Sequence, residues 1–130
     1  MNTSTGTIKF FAYGTIRKNN PLHSWIQGGI ISELGEGYIE GAKLYFPSDH
    51  TSYPYLVQTN NPSDKAIGEL YEVAHDSAFD SMLRMESNAG YTPALTSART
   101  HEGTHEVVVC LWEHIDEIGN EVPENDWSKR

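Results

Sequence analysis

Cysteine and positive charge are both scarce in this 130-residue sequence. Its single cysteine, Cys110, excludes an intrachain disulfide and favours a reducing compartment. Lysine and arginine number 9 against 18 acidic residues, and the resulting net charge of −9 argues against a nucleic-acid or anionic-membrane surface. No apolar run is long enough to span a bilayer, and the N-terminus does not read as a signal peptide. We therefore expect a soluble, cytoplasmic protein with neither nucleic acid nor membrane as a partner.

The chain nevertheless contains enough apolar material for one core. Hydrophobic residues make up 38% of the sequence, which has the length of one domain and shows no repeat or linker. Most segments have strand character, and one segment has clear helical periodicity. The sequence therefore predicts a single domain over residues 1–130 of the α+β class, a small mixed β-barrel or curled sheet flanked by one or two helices.

The strands are predicted from apolar runs and alternation. Residues 8–13 are too uniformly apolar for a surface strand, so we expect them to form a central one. Residues 30–34 and 38–46 are predicted as a hairpin around a turn at 35–37, which reads Gly-Glu-Gly. Residues 66–73 alternate well and predict a further strand.

The second half of the chain contains the clearest helix. We predict it over residues 77–87, with an N-cap at 76–77 and a stop at 88–90. Residues 95–100 and 106–114 are predicted to pair around a Glu-Gly turn at 102–103. The polar tail from 119 to 130 is predicted to be a loop.

Glu86 is the first candidate functional residue. Phe79, Met82 and Glu86 share one face of the predicted helix, so a carboxylate falls on an apolar stripe. Desolvation there would raise its pKa toward neutrality, as a general base requires. The alternative is that Glu86, in the last helical turn, extends into solvent.

The turn after the first strand is the second candidate. Backbone N–H groups from Tyr13, Gly14, Thr15 and Ile16 can converge there on a carboxylate or an oxyanion. The alternative is an ordinary turn in which Gly14 supplies only backbone freedom. Tyr91, five residues beyond Glu86, could line a pocket or be a core aromatic with a satisfied hydroxyl.

The histidines and the single cysteine are further candidates for metal binding or nucleophilic chemistry. Residues 101–105 read His-Glu-Gly-Thr-His, which matches the zinc motif H-E-x-x-H. That motif needs a helix to bring both histidines to one face, whereas this segment predicts a hairpin turn, so we predict no metal site. Cys110 lies in an apolar run and is predicted to be a buried, unreactive thiol. The other histidines are predicted to have surface or capping roles.

Together these segments resemble the gamma-glutamylcyclotransferase-like family, in particular its small microbial members. Residues 11–16 read Phe-Ala-Tyr-Gly-Thr-Ile, close to that family's Phe-x-Tyr-Gly-Ser/Thr-Leu. Residues 68–71 read Gly-Glu-Leu-Tyr, which matches the strand that precedes its helix, and residues 125–127, Asn-Asp-Trp, resemble its Gly-Asp-Trp ending. Leu83 and Ser87 replace an aspartate and a glycine of the family helix, and the arginine of its Tyr-x-Arg is absent after Tyr91. These departures leave the glutamate in place and the substrate open.

The resemblance implies a function and a role for each candidate. The substrate's α-amine would attack its own γ-glutamyl carbonyl, which releases an amine or amino acid and 5-oxoproline. Glu86 would be the catalytic base, the turn at residues 13–16 would bind the substrate, and Tyr91 would line the pocket. Neither metal nor cofactor is implied, and the oligomeric state stays open. The alternative hypothesis is a non-catalytic carboxylate-binding domain on the same scaffold.

Overall fold

A closed five-stranded barrel forms the centre of the computed structural model, which describes residues 6–130. In chain order the elements are β1 (Thr7–Ala12), α1 (Ser24–Gln27), β2 (Ile30–Glu40), β3 (Ala42–Pro47), β4 (Tyr55–Gln58), β5 (Lys65–Ala74), α2 (Ser77–Asn88), β6 (Thr92–Thr100), β7 (Gly103–Leu111) and β8 (Ile118–Glu121). The barrel order is β1-β5-β2-β6-β7, and a second sheet has the order β4-β3-β8. The predicted mixed β-barrel with flanking helices is confirmed.

Strand β1 is central, as its sequence predicts. It pairs antiparallel with β5 and parallel with β7, where Phe10 lies opposite Val108. Phe11 points into the barrel core, whereas Phe10 packs outside against Phe79 of α2 with ring centroids 5.6 Å apart. Both faces of β1 are thus buried from Phe10 to Ala12, which explains why these residues are all apolar rather than alternating.

Helix α2 agrees with its predicted bounds to within one residue. Its N-cap is Asp76, whose Oδ1 accepts a hydrogen bond of 3.0 Å from the Phe79 amide. Phe79 and Met82 are both buried against the outer face of the barrel. This packing fixes the direction in which the last turn of α2 carries Glu86.

The predicted hairpin at residues 30–46 is wrong. Gly35 and Gly37 lie inside the single long strand β2, and the chain turns instead at Gly41, which has φ +76°. Gly35, at φ +98°, accompanies a register shift in the pairing with β5. Gly37 is needed because a Cβ there would lie 2.3 Å from the carbonyl oxygen of Arg99. The two glycines therefore mark a bulge and a close strand approach.

The tail is also more ordered than its polar sequence predicts. Strand β8 pairs with β3, and short 3-10 turns follow at Pro123–Asn125 and Trp127–Lys129. Trp127 is fully buried in the same core as Phe11. The tail therefore contributes to the core instead of forming a loop.

The predicted pairing of the last two long strands is confirmed, because β6 and β7 form a hairpin in which Thr100 lies opposite Gly103. The His-Glu-Gly-Thr-His segment falls on this hairpin turn. His105 there contacts Lys9 Nζ at 3.0 Å. Among residues 6–130, no cluster of three His, Cys, Asp or Glu side chains could hold a metal ion. Over the same residues, no helix has the length and apolar character needed to cross a membrane.

Candidate active site

One pocket lies where β1 and β7, which run parallel, come to an end. Its volume is about 320 Å³, including the space at its open mouth. Glu86 reaches it from the last turn of α2, and Pro54 reaches it from the segment before β4. The lining residues are Phe10, Phe11, Ala12, Tyr13, Gly14, Thr15, Ile16, Pro54, Glu86, Tyr91 and Cys110. All six residues that the sequence singles out for the site therefore line a single pocket.

Glu86 is the charged group of this pocket, whose lining within residues 6–130 contains no lysine, arginine or histidine. Its side chain is half-buried, and it makes no hydrogen bond or ion pair with another described residue. Burial raises the pKa of Glu86 to about 7 from an ordinary value of 4.5. A carboxylate near neutrality with unused lone pairs can accept a proton from a bound molecule.

The carbonyl oxygens of residues 14–16, in the loop after β1, are all hydrogen-bonded within the protein. The carbonyl oxygen of Gly14 accepts from the Arg17 amide at 2.9 Å, and that of Thr15 accepts from the Leu22 amide at 2.9 Å. The carbonyl oxygen of Ile16 accepts from His23 Nδ1 at 2.9 Å, so the histidine side chain bonds to the loop and does not cap α1.

The amide groups of the same three residues, unlike their carbonyl groups, have no hydrogen-bond partner in the described protein. Among residues 6–130, the N–H groups of Gly14, Thr15 and Ile16 donate to no protein acceptor. Three consecutive free donors beside a pocket are a ready site for an anion, because an unsatisfied backbone N–H seeks an acceptor.

Gly14 is required by packing rather than by its backbone conformation. A Cβ at this position would lie 2.4 Å from Cγ and 2.5 Å from Cδ of Pro54. Real side-chain atoms do not approach so closely, so any larger residue would push the loop and the Pro54 segment apart. The contact closes one side of the pocket.

Two tyrosines form the polar wall of the pocket. The Tyr13 hydroxyl donates to the Cys110 carbonyl oxygen at 2.6 Å, and the Tyr91 hydroxyl donates to the Pro54 carbonyl oxygen at 2.8 Å. Burial raises the pKa of both hydroxyls, so they remain neutral. Tyr91 thus combines the two roles that its sequence left open, since it lines the pocket and its hydroxyl is satisfied.

Some residues of this region are not evident in the sequence. Pro54 and Cys110 line the pocket through tertiary packing alone, and no local pattern marks them. Burial, followed by the proximity of Glu86, raises the pKa of the Cys110 thiol, so it stays protonated as predicted for an unreactive cysteine. Behind the loop lie Arg17 and Asp126, two buried charged residues. The unusual placement of an arginine directly after the apolar strand and turn is the signal that could have indicated Arg17.

The sequence and the fold of this chain are similar to those of known proteins. The profile of the family described as gamma-glutamyl cyclotransferase, AIG2-like, matches residues 10–129. A protein of Pyrococcus horikoshii, named "Putative gamma-glutamylcyclotransferase PH0828", is 34% identical over 91 residues, which are 70% of either chain. Its crystal structure superposes with a TM-score of 0.68, covering 93% of this chain and 90% of that one at 30% identity.

More distant structures share the fold. An AIG2-like protein from Mus musculus superposes with a TM-score of 0.66 at 22% identity, over 81% of this chain and 76% of that one. The uropathogenic E. coli protein c4763 superposes with a TM-score of 0.67 at 23% identity, over 95% of this chain and 94% of its own. On the profile match across nearly its whole length and on its archaeal relative, the chain belongs to the gamma-glutamyl cyclotransferase, AIG2-like family.

Proposed function

We propose that this protein is a gamma-glutamyl cyclotransferase that converts a small γ-glutamyl amine or γ-glutamyl amino acid into 5-oxoproline and the free amine. One observation carries the proposal. Glu86, a carboxylate with no protein partner among residues 6–130 and a pKa of about 7, shares a pocket with the three unpaired amides of Gly14, Thr15 and Ile16. A general base and an anion site are the two parts that this reaction needs.

The first role of Glu86 is to activate the nucleophile. The α-amino group of the substrate is an ammonium ion near neutral pH and has no free lone pair for attack. Glu86 in its ionised form takes one proton from this ammonium. A carboxylate with a pKa of about 7 is a stronger base than an ordinary glutamate, so burial improves its match to this task.

The chemical step then forms one bond and breaks one. The amine nitrogen attacks the γ-carbonyl carbon, and the carbonyl oxygen becomes an oxyanion. The oxyanion collapses to the ring carbonyl as the bond between that carbon and the leaving nitrogen breaks, and protonated Glu86 gives its proton to the departing nitrogen. Glu86, again ionised, then takes the second proton of the ring nitrogen and passes it to the released amine, which leaves as an ammonium ion. No water is consumed and no group is oxidised or reduced.

The amides of the 14–16 loop have the complementary role. They bind a negatively charged oxygen, either the α-carboxylate that anchors the substrate or the oxyanion that develops at the γ-carbon. Because the pocket lining within residues 6–130 offers no cationic side chain, the backbone is the source of positive potential there. Holding the substrate folded, with its amine over its own carbonyl, supplies the proximity that ring closure needs.

The test is a mass-spectrometric screen for 5-oxoproline release. Purified protein is incubated with γ-glutamyl amino acids, γ-glutamyl amines and ε-(γ-glutamyl)lysine. Glu86→Gln keeps the shape of the side chain and removes the base, and we expect it to lower turnover about 10²–10⁴-fold. Glu102→Gln is the matched control, because it makes the same charge change on the exposed β6–β7 turn.

Each outcome of the screen decides between named hypotheses. Release by the wild type and by Glu102→Gln, but not by Glu86→Gln, supports the reaction and the base. Full activity in Glu86→Gln would contradict the base assignment. Folded wild-type protein that binds L-5-oxoproline calorimetrically, yet releases none from any substrate, would favour the carboxylate-binding domain.

A further inference from the structure

Two of the sequence motifs that carry the family resemblance lie outside the pocket, and they meet at one buried arginine. We propose that Arg17 is a positioning residue that Asp126 and Glu69 hold in place so that the three unpaired amides of the 14–16 loop keep one arrangement beside the pocket. The inference rests on the proposed function for the catalytic role of that loop. Arg17 does not itself line the pocket, so its effect must pass through the loop.

Arg17 is anchored at both ends of its guanidinium. Nη1 donates to Asp126 Oδ1 at 2.8 Å, and Nε donates to Glu69 Oε2 at 3.2 Å. Only 6% of Arg17 and 7% of Asp126 is exposed. Arg17 also donates its amide to the Gly14 carbonyl oxygen, which ties the anchored side chain directly to the turn that it follows.

Glu69 holds the loop a second time, through its other oxygen. Glu69 Oε1 accepts from the Lys18 amide at 2.8 Å and from the Tyr71 hydroxyl at 2.7 Å. Glu69 belongs to β5, opposite Ala12 of β1, and is therefore part of the closed barrel. The loop is thus fastened to the barrel wall at two consecutive residues, immediately after the three free amides.

Asp126 comes from the C-terminal turn, 109 residues away from Arg17. Its Oδ1 also accepts from the Ser128 amide at 3.0 Å and from Ser128 Oγ at 2.8 Å. The next residue, Trp127, is fully buried and anchors this turn in the core. Burial by itself would raise the pKa of Asp126, but hydrogen bonds from Ser128 and Arg17 outweigh burial and lower it. The carboxylate therefore stays charged.

This arrangement is suited to fixing geometry more than to adding stability. A buried ion pair gains little net free energy over apolar side chains of the same size, because both charges must leave water. Its directional bonds do fix one arrangement of the groups that it joins. Arginine suits this role because its donors form a rigid planar fork, which fixes the angle between the two carboxylates that it joins.

The test uses two conservative variants and one matched control. Arg17→Lys keeps the positive charge but loses the planar fork of donors, and Asp126→Asn keeps an oxygen acceptor but removes its charge. Ser128→Ala removes one side-chain hydrogen bond to Asp126 Oδ1 and leaves both ion pairs of Arg17 in place. All are studied well below their unfolding temperatures, with the folded fraction measured by circular dichroism.

The direct readout is the ¹⁵N order parameter of the loop amides, which needs no turnover. We expect values near 0.85 at Gly14, Thr15 and Ile16 in the wild type and in Ser128→Ala, and values below about 0.6 in the other two variants. We also expect about ten-fold weaker binding of L-5-oxoproline in those variants. On a substrate identified in the screen, kcat per folded molecule should fall about 10²-fold, as small misplacements of catalytic groups do.

The outcomes separate this inference from the proposed function. Wild-type protein without any turnover would contradict the function, and the order parameters and 5-oxoproline binding would still decide the role of Arg17. Lower unfolding temperatures with unchanged loop order parameters, binding and kcat would reduce Arg17 to a structural role and overturn the inference. If Arg17→Lys does not fold, the same measurements on Asp126→Asn distinguish a positioning role from a structural one.

Discussion

The amide nitrogen of Tyr91 lies 3.0 Å from the carbonyl oxygen of Glu86 and donates a hydrogen bond to it. This bond closes the turn that ends α2, so the proposed base and the tyrosine of the pocket wall are held by one backbone contact. Gly90 makes the turn possible, because its φ of +111° lies in the left-handed region that glycine tolerates best. The spacing of five residues between the two side chains is therefore a geometric requirement.

Gly90→Ala should damage both stability and the site. The new Cβ would lie 2.8 Å from Cη2 and Cζ3 of the Trp112 ring, at a strained backbone conformation. We expect the free energy of unfolding to fall by about 1–3 kcal/mol, measured by chemical denaturation. Gly28→Ala is the control, since its Cβ would meet nothing within 4 Å and its φ is −69°. Equal stability in the two variants would contradict this account of the turn.

The rate of the proposed reaction should depend on pH through Glu86. The base is active when ionised, and burial raises its pKa to about 7, so kcat/KM should rise with pH and level off above about pH 7. Below the midpoint the fall should approach ten-fold per pH unit. The measurement is a pH–rate profile under conditions where the protein stays folded. An acidic limb with its midpoint near 4.5 would show that Glu86 is not desolvated in the working enzyme.

Glu86 should also lower the stability of the folded protein at neutral and alkaline pH. Its pKa is higher in the folded state, about 7, than the ordinary 4.5 of an unfolded chain. The unfolded state therefore binds fewer protons between these values, and the free energy of unfolding falls as pH rises from 4.5 to 7. At pH 8, Glu86→Gln should be more stable than the wild type by about 1–3 kcal/mol, whereas at pH 4 this advantage should vanish.

Denaturation curves at the two pH values test this prediction, with Glu102→Gln as the exposed control. A variant that gains nothing at pH 8 would indicate that the folded protein solvates the Glu86 carboxylate. A gain in stability that accompanies loss of turnover is the expected mark of a group retained for activity.

The parts of the site that could be predicted from sequence are those encoded locally. The apolar run of β1 and the spacing of Phe79, Met82 and Glu86 each lie within a dozen residues, and both indicate their structure directly. Glu86 and the loop after β1 meet in one pocket because α2 packs across β1, and the apolar faces of both elements favour this packing. The family resemblance is consistent with the same arrangement.

The missed features depend on contacts between distant parts of the chain. Gly37 reads as a turn residue, and it is the carbonyl of Arg99 on β6 that makes glycine necessary within a strand. Arg17 follows the apolar strand and turn in sequence, but its buried partner Asp126 lies 109 positions later. Local propensity cannot report such pairs, so the strand bulge and the buried ion pair needed the structure.

The close approach of Gly14 to Pro54 offers a test of how the pocket is closed. Gly14→Ala places a Cβ 2.4 Å from the proline ring, so we expect a loss of about 1–3 kcal/mol in the free energy of unfolding and a large loss of 5-oxoproline release. Pro54→Ala removes the ring atoms that clash and keeps the carbonyl oxygen that accepts from Tyr91. The double variant should therefore lose less free energy of unfolding than the sum of the losses in the two single variants. We expect a difference of at least about 0.5 kcal/mol in a double-mutant cycle. Strictly additive effects would mean that the loop moves away from Pro54 at no cost, and that this contact does not hold the free amides beside Glu86.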